Sequence, residues 1–207
     1  MKMAEETDTM RAQYDFSKAV RGKHLPKQKY MSPEEYLEWE RSRDDDEKYE
    51  YVDGQVFAMA GASRAHNRIA GLMFARLFNH LEGVPCGVFQ SDMKVGIRSL
   101  ETNRYYYPDV QVSCDEETDP YYNTSPCLIV EVLSDSTAHK DRTEKLAAYR
   151  LFASLQEYVL CSQDTPHIEV YRRASEWERG IYTAGQVLTL DSVGLDVAVD
   201  DVYHFLM

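Results

Sequence analysis

The first chemical signal in the 207-residue chain is an acid in an apolar run. Glu131 stands within Leu128-Ile129-Val130-Glu131-Val132-Leu133, with apolar neighbours on both faces. An ionised carboxylate there is costly to bury unless it is paired or binds a metal. A buried salt bridge, or a strand end near solvent, is the plain alternative. Asp109 follows Pro108 in a second β-prone run, YYYPDVQVSC at 105–114, and shares with Gln111 the face opposite Val110 and Val112. Two carboxylates on adjacent strands can converge on one divalent cation, because Mg2+ takes a few carboxylates and keeps waters for a substrate. Taken alone, Asp109 reads equally as an exposed strand residue.

Downstream of Glu131, residues Asp141, Lys145 and Tyr149 recur at i, i+4 and i+8, so they share one helix face. From that face Lys145 could reach back over the sheet, where an ammonium would hold an attacking water or offset charge on a phosphate. A surface Asp–Lys pair beside a core tyrosine is the alternative. Lys140 and Arg142 are the nearest other cations, and regular helical spacing puts neither on that face. His66 lies in line with Ile69 and Met73, which suits a core histidine as well as a phosphate or water contact. Gln90 could face the same site from a neighbouring strand.

The elements that must position these residues are legible from local signals. Ser32-Pro33-Glu34-Glu35 opens a helix reaching about Arg43, with a cap, a proline at the first helical position and acids at the dipole's positive end. The run DDDE at 44–47 reads as a solvated turn. YEYV and QVFAMA flank Asp53-Gly54, a hairpin signal. Ser63 caps a helix over about 64–81, with Ile69, Leu72, Met73, Leu77 and Leu81 at helical spacing. VFQSDMKVGI at 88–97 and YYYPDVQVSC at 105–114 each read as one alternating strand. An acidic loop occupies 115–120. CLIVEVLS at 127–134 is apolar on both faces, which marks a central strand. A helix over about 138–153 follows, then EYVLCSQ as a buried strand. HIEVYRR, WERGIYTAG and QVLTL read as C-terminal strands.

Composition sets wider bounds. The length suits one domain over 31–207 preceded by an arm at 1–30. Residues 18–30 carry five Lys/Arg and no acid. They read as a solvated basic arm, with phosphate contact and oligomer contact as alternatives. A net charge of -12 argues against broad adhesion to nucleic acid. It leaves room for a carboxylate-rich site that recruits Mg2+. No run of about 18 apolar residues exists, so no membrane helix is expected. MKMAEETDTM has no apolar core of a secretory signal, which points to the cytoplasm. Cys86, Cys114, Cys127 and Cys161 are widely spaced and read as reduced thiols, without a disulfide framework or a zinc site.

In order and spacing, Pro108-Asp109-Val110, Leu128–Ser134, Ser136-Thr137 and Asp141-x3-Lys145-x3-Tyr149 together resemble the bacterial Uma-type restriction-endonuclease family, part of the PD-(D/E)XK nuclease superfamily. Tyr49–Gly54 is similar to the family's hairpin and His66 to its second helix. The resemblance covers about residues 30–206. It implies an α/β, restriction-endonuclease-like fold: a mixed β-sheet flanked by helices, with a C-terminal β extension. It also implies Mg2+- or Mn2+-dependent hydrolysis of DNA phosphodiesters. In that scheme Asp109 and Glu131, joined by Glu50, hold the metal, Lys145 positions water or stabilises the transition state, and Tyr149 orients Lys145. The superfamily's lysine two residues after the acid is Leu133 here, so the resemblance implies that the lysine has migrated to Lys145. Cutting two strands suggests a homodimer, with Tyr105–Tyr107 and Tyr121-Tyr122 as contact surface. The rival expectations are a catalytically weak nucleic-acid-binding module and a homo-oligomeric regulatory protein with no nucleic-acid partner.

Overall fold

The computed structural model describes residues 30–45, 47–59 and 61–206, so the basic arm expected over 1–30 lies outside the described residues apart from Tyr30. Helix α1 (Pro33–Arg41) starts in a complete capping box, Ser32 accepting from the Glu35 amide and Glu35 from the Ser32 amide. Its buried face, Tyr36 and Leu37, packs on Tyr49, Tyr51 and Tyr105. Strands β1 (Tyr49–Val52) and β2 (Gln55–Ala58) form the expected hairpin, Val52 pairing Gln55. Asp53 and Gly54, at φ 46° and 97°, supply the two left-handed positions that a type I′ turn needs.

Helix α2 (Arg64–His80) follows its Ser63 cap. Next come β3 (Gly87–Gln90), β4 (Lys94–Arg98), β5 (Asn103–Tyr106) and β6 (Val110–Ser113). The runs 88–97 and 105–114, expected as single strands, each break and cross between sheets. Ser91 sits at φ 37°, off the extended region. Pro108 has no amide proton to give a ladder. Consequently β3 pairs with β6 in one sheet and β4 with β5 in the other. Strand β7 (Tyr122–Asn123), not expected from sequence, runs parallel to β4. Buried Gln111 stitches the sheets, donating to the Met93 carbonyl at 2.7 Å and accepting from Asn123 at 3.1 Å.

The remaining elements are β8 (Pro126–Leu133), α3 (Ala138–Lys140), a π-helical segment (Asp141–Lys145), α4 (Leu146–Tyr149), β9 (Glu157–Ser162), β10 (His167–Arg172), β11 (Arg179–Thr183), β12 (Val187–Leu190), β13 (Leu195–Ala198) and α5 (Val199–Tyr203). The five-stranded sheet runs β2-β1-β5-β4-β7 and the six-stranded sheet β11-β10-β9-β8-β6-β3, with β12-β13 a separate hairpin. Strand β8 is interior and parallel only to β9. Leu128, Val130 and Val132 join Ile69, Met73 and Leu77 of α2, together with Leu188, Val197 and Val202, in one core. Ile129 and Leu133 join Tyr106, Tyr149 and Tyr158 in the other, between the two sheets. Glu131 shares that second face by strand alternation. Met73→Ala should lower stability by about 2–5 kcal/mol through the cavity it leaves; denaturant unfolding checks this, and a loss under 1 kcal/mol would contradict the packing.

Two sequence expectations are corrected here. Cys86 and Cys114 are joined by a disulfide rather than held as thiols, while Cys127 and Cys161 are free. The pair sits one step beyond the Gly87–Ser113 register at the ends of β3 and β6. A separation of 28 residues carries no local sign of that adjacency. Tyr105, Tyr106 and Tyr107 are buried and offer no contact surface; Tyr121 is exposed. Among the described residues, no helix is long and apolar enough to cross a membrane.

Candidate functional site

Glu131 rises from the middle of β8 into the space between the sheets and is 4% exposed. Its Oε1 accepts from Lys145 Nζ at 2.9 Å and from the Tyr149 hydroxyl at 2.8 Å. Lys145 also lies 3.0 Å from Glu50 Oε1 and 3.5 Å from Asp141 Oδ1, so one ammonium stands among three carboxylates. Lys140 donates to Glu50 Oε2 at 2.6 Å. Spacing had left Lys140 off this face. In an α-helix, residues five apart lie about 140° apart around the axis. The π segment Asp141–Lys145 replaces that turn with wider i→i+5 bonding, which brings Lys140 and Lys145 together on Glu50. Arg142 does point away, to Glu169 at 2.7 Å.

Asp109 lies in the crossing between β5 and β6, not inside a strand. Val110 pairs with Val130, so one further register step sets Asp109 opposite Glu131. Its Oδ2 accepts from the Val132 amide at 2.7 Å and its Oδ1 pairs with His66 Nε2 at 2.9 Å. His66, in the first turn of α2, thus serves Asp109 instead of packing with Ile69 and Met73. Its Nδ1 is buried without a hydrogen-bond partner. Gln90 is exposed at the end of β3, opposite Val110, and no described side-chain bond ties it to the cluster. Lys140 and Asp141 belong to the cluster although spacing had assigned neither a role there. The signal for Asp141 was its shared face with Lys145 and Tyr149; for Lys140 there was none.

Three carboxylates (Glu50, Glu131, Asp141) face two ammonium groups, with Asp109 beside Glu131 on His66, so acids outnumber lysines in the cluster. Burial pushes Glu131 up to about 8, Lys145 opposing and Asp109 and Asp141 adding to the rise. Burial and the neighbouring acids likewise raise Asp141, against the pull of Lys145. Burial also works on Glu50, but Lys145 and Lys140 more than offset it and hold that carboxyl below its ordinary range. Burial disfavours the Lys145 cation, yet Glu131, Glu50 and Asp141 outweigh it and keep the ammonium well above its usual range. Tyr149, raised by burial and by Glu131, stays a phenol donor.

The donor chemistry fits a hard divalent cation, which takes oxygen ligands. Asp141 Oδ1 is buried without a hydrogen bond, facing the Lys145 ammonium at 3.5 Å. Asp109 and Glu131 come from adjacent chain segments and are the pair that would hold such an ion. Glu50, expected as a third ligand, gives one oxygen to each lysine. Among the described residues no three acidic or imidazole groups already stand in metal-holding geometry, since Lys145 occupies the space between Glu50, Glu131 and Asp141.

A crystal structure titled as a putative nuclease belonging to DUF820, from Anabaena variabilis, superposes with a TM-score of 0.66 at 17% identity, over 86% of this chain and 99% of that one. That likeness establishes the restriction-endonuclease-like fold of mixed sheets flanked by few helices. Two Synechocystis proteins are similar in sequence: slr1290, 41% identical over 180 residues, 85% of this chain and 93% of that protein, and sll1609, 34% identical over 152 residues, 72% and 84% respectively. The model of the Uma2 family, described as "Putative restriction endonuclease", matches residues 33–200, so the chain belongs to the Uma2 family.

Proposed function

We propose that the protein is a Mg2+- or Mn2+-dependent endonuclease that hydrolyses DNA phosphodiesters at the Asp109–Glu131–Lys145 cluster. The observation that carries this reading is the buried Glu131, whose Oε1 is held by Lys145 and Tyr149 while its Oε2 takes no hydrogen bond among the described residues. When bound by Asp109 and Glu131, the cation would acidify a water and polarise the phosphate. Tyr149 and Lys145 fix the Glu131 carboxylate through Oε1, leaving Oε2 to meet the cation or the water it carries. Lys145 presents positive charge where negative charge grows on the phosphoryl oxygens. Glu50 holds both lysines in place, and His66 fixes the rotamer of Asp109. The test is Mg2+/Mn2+-dependent cleavage of supercoiled and linear DNA, with Glu131→Ala as control. Equal products from both proteins would sink the assignment.

Leu133 at the superfamily's lysine position and the -12 charge favour a second reading, a nuclease fold that binds nucleic acid with weak or no turnover. A gel shift at stated salt without cleavage would select it; neither shift nor cleavage would leave a regulatory oligomer. Metal linkage follows from the surplus of acids over lysines: millimolar Mn2+ or Mg2+ should raise the melting temperature of wild type. An equal rise in Asp109→Ala/Glu131→Ala would place the ion elsewhere.

A two-fold dimer would supply two sites for two strands. With Tyr105–Tyr107 buried, Tyr121 remains the exposed member of the tyrosines proposed for that contact. Light scattering showing only monomer at tens of micromolar would count against it. Residues 1–30 are proposed as an arm separate from the nuclease-like unit 31–207. A DNA substrate fits a cytoplasmic protein, whereas the Cys86–Cys114 bond weighs against one, because cytosolic thiols are kept reduced.

A further inference from the structure

We infer that Phe57, beside the carboxylate–lysine cluster, stacks against an unpaired nucleobase of the substrate; the inference rests on the nucleic-acid reading above and adds a substrate class to it. Register places Phe57 directly beside Glu50 across the β1–β2 hairpin. Tyr49 and Tyr51 face α1, so alternation turns Glu50 and Phe57 to the opposite side, toward the cluster. Among the described residues, strand β2 is the edge of its sheet. The other rings near the cluster, Tyr106, Tyr149 and Tyr158, are fully buried, while Phe57 is 43% exposed and Met59, two residues on and on the same face, is 38% exposed. Single exposed apolar side chains are ordinary. What separates this one is its neighbour: Lys140 Nζ lies 5.4 Å from the Phe57 ring centroid and 2.6 Å from Glu50 Oε2. The Lys140 side chain keeps 29% of its exposure where Lys145 keeps 7%.

A partly exposed ring beside a partly exposed lysine matches the two parts of one nucleotide. The ring offers a sequence-tolerant stacking surface and the cation an electrostatic partner for the adjoining phosphate. Bases inside a duplex are already stacked on their neighbours, so only an unpaired or extruded base can use such a platform. The geometry therefore favours single-stranded or locally opened nucleic acid over intact duplex, with the phosphate next to the stacked base delivered toward Lys145 and Glu131.

The test is fluorescence anisotropy of labelled oligonucleotides with Mg2+, in the Glu131→Gln background so that no turnover intervenes. Phe57→Leu should weaken binding of a single strand by about 10-fold, the scale of one base–aromatic stack. Phe57→Trp should stay within about 2-fold of the parent, because it keeps the aromatic face. A blunt duplex should show little change in either variant. Replacing one nucleotide of the single strand by an abasic unit should reproduce the Phe57→Leu loss in the parent and add nothing further in Phe57→Leu, as expected when two changes delete one contact. Unchanged affinity in Phe57→Leu, or equal loss for single strand and duplex, would overturn the inference. A loss of dimer by light scattering at unchanged affinity would likewise overturn it and assign the ring to a subunit contact. Tight, Phe57-dependent binding by a protein that never cleaves would remove the nuclease reading and leave the stacking site intact. No oligonucleotide binding by the parent would overturn both.

Discussion

Replacing Lys145 by alanine should slow phosphodiester cleavage on the order of 10²-fold or more at saturating Mn2+, the scale of one positioned electrostatic donor. Metal affinity should fall far less, because the ligand pair proposed here is Asp109 and Glu131. Glu131→Ala should abolish both. The same substitution has a stability consequence that follows from burial. Lys145 is the cation shared by Glu50, Glu131 and Asp141, and all four of these residues are buried. Removing one partner of a buried ion cluster costs about 3–5 kcal/mol, because the charges left behind are uncompensated. Circular dichroism and denaturant unfolding must therefore accompany the kinetics, and Lys145→Gln keeps the stem and a donor if the alanine variant fails to fold. Lys145→Arg should not restore the rate, since a planar fork is not an isostere of a point-charge ammonium inside this triangle. A folded Lys145→Ala or Lys145→Gln protein that cleaves at the wild-type rate would remove the lysine from the chemistry.

In the absence of divalent metal, wild type should lose stability as pH rises from about 5 to 8, while Glu131→Gln should hold nearly constant over that window. The sign follows from proton binding. Glu131 has an ordinary value of 4.5 when unfolded and is pushed up to about 8 by burial in the folded chain. The folded state therefore holds the proton longer, and its advantage is complete below the unfolded value and lost as pH climbs through the folded one. The difference between the two proteins should grow across this window, to about 2–4 kcal/mol by pH 8. Glu50 works in the opposite sense: its lowered pKa adds stability above its unfolded value, and that stability is lost under acid. Added Mg2+ should flatten the wild-type curve by favouring the ionised Glu131. Parallel melting-temperature curves for the two proteins from pH 5 to 8 would show that Glu131 is not the buried, proton-holding acid described here.

Much of the framework was legible along the chain because its causes are local. The capping box at Ser32 and Glu35, the Asp53-Gly54 turn and the α2 stripe of Ile69, Met73 and Leu77 each depend on residues within two turns of one another. Strand β8 declared itself by being apolar on both faces, and Glu131 by interrupting that pattern. The clustering of the candidate residues was legible to the same degree. Asp109 and Glu131 are neighbours in register, and Asp141, Lys145 and Tyr149 do share a helix face at the cluster.

The chain's partition between two sheets depended on non-local pairing. Residues 88–97 and 105–114 alternate convincingly, and nothing in that alternation says that the break at Ser91 or Pro108 moves the second half to a different sheet. That depended on which strands compete to pair with β6 and β4. Lys140 entered the site because the π segment, whose Asp141 carbonyl accepts from the Tyr158 hydroxyl, changes the angular step that helical spacing assumes. The Cys86–Cys114 bond and the His66–Asp109 pair span 28 and 43 residues, and both exist only once β3, β6 and α2 have docked. By itself the sequence determined which residues want burial, where turns and caps fall, and that one carboxylate would be buried against its preference. The tertiary structure decided which charges answer that carboxylate, because ion pairing acts through space and local pattern acts only through adjacency along the chain.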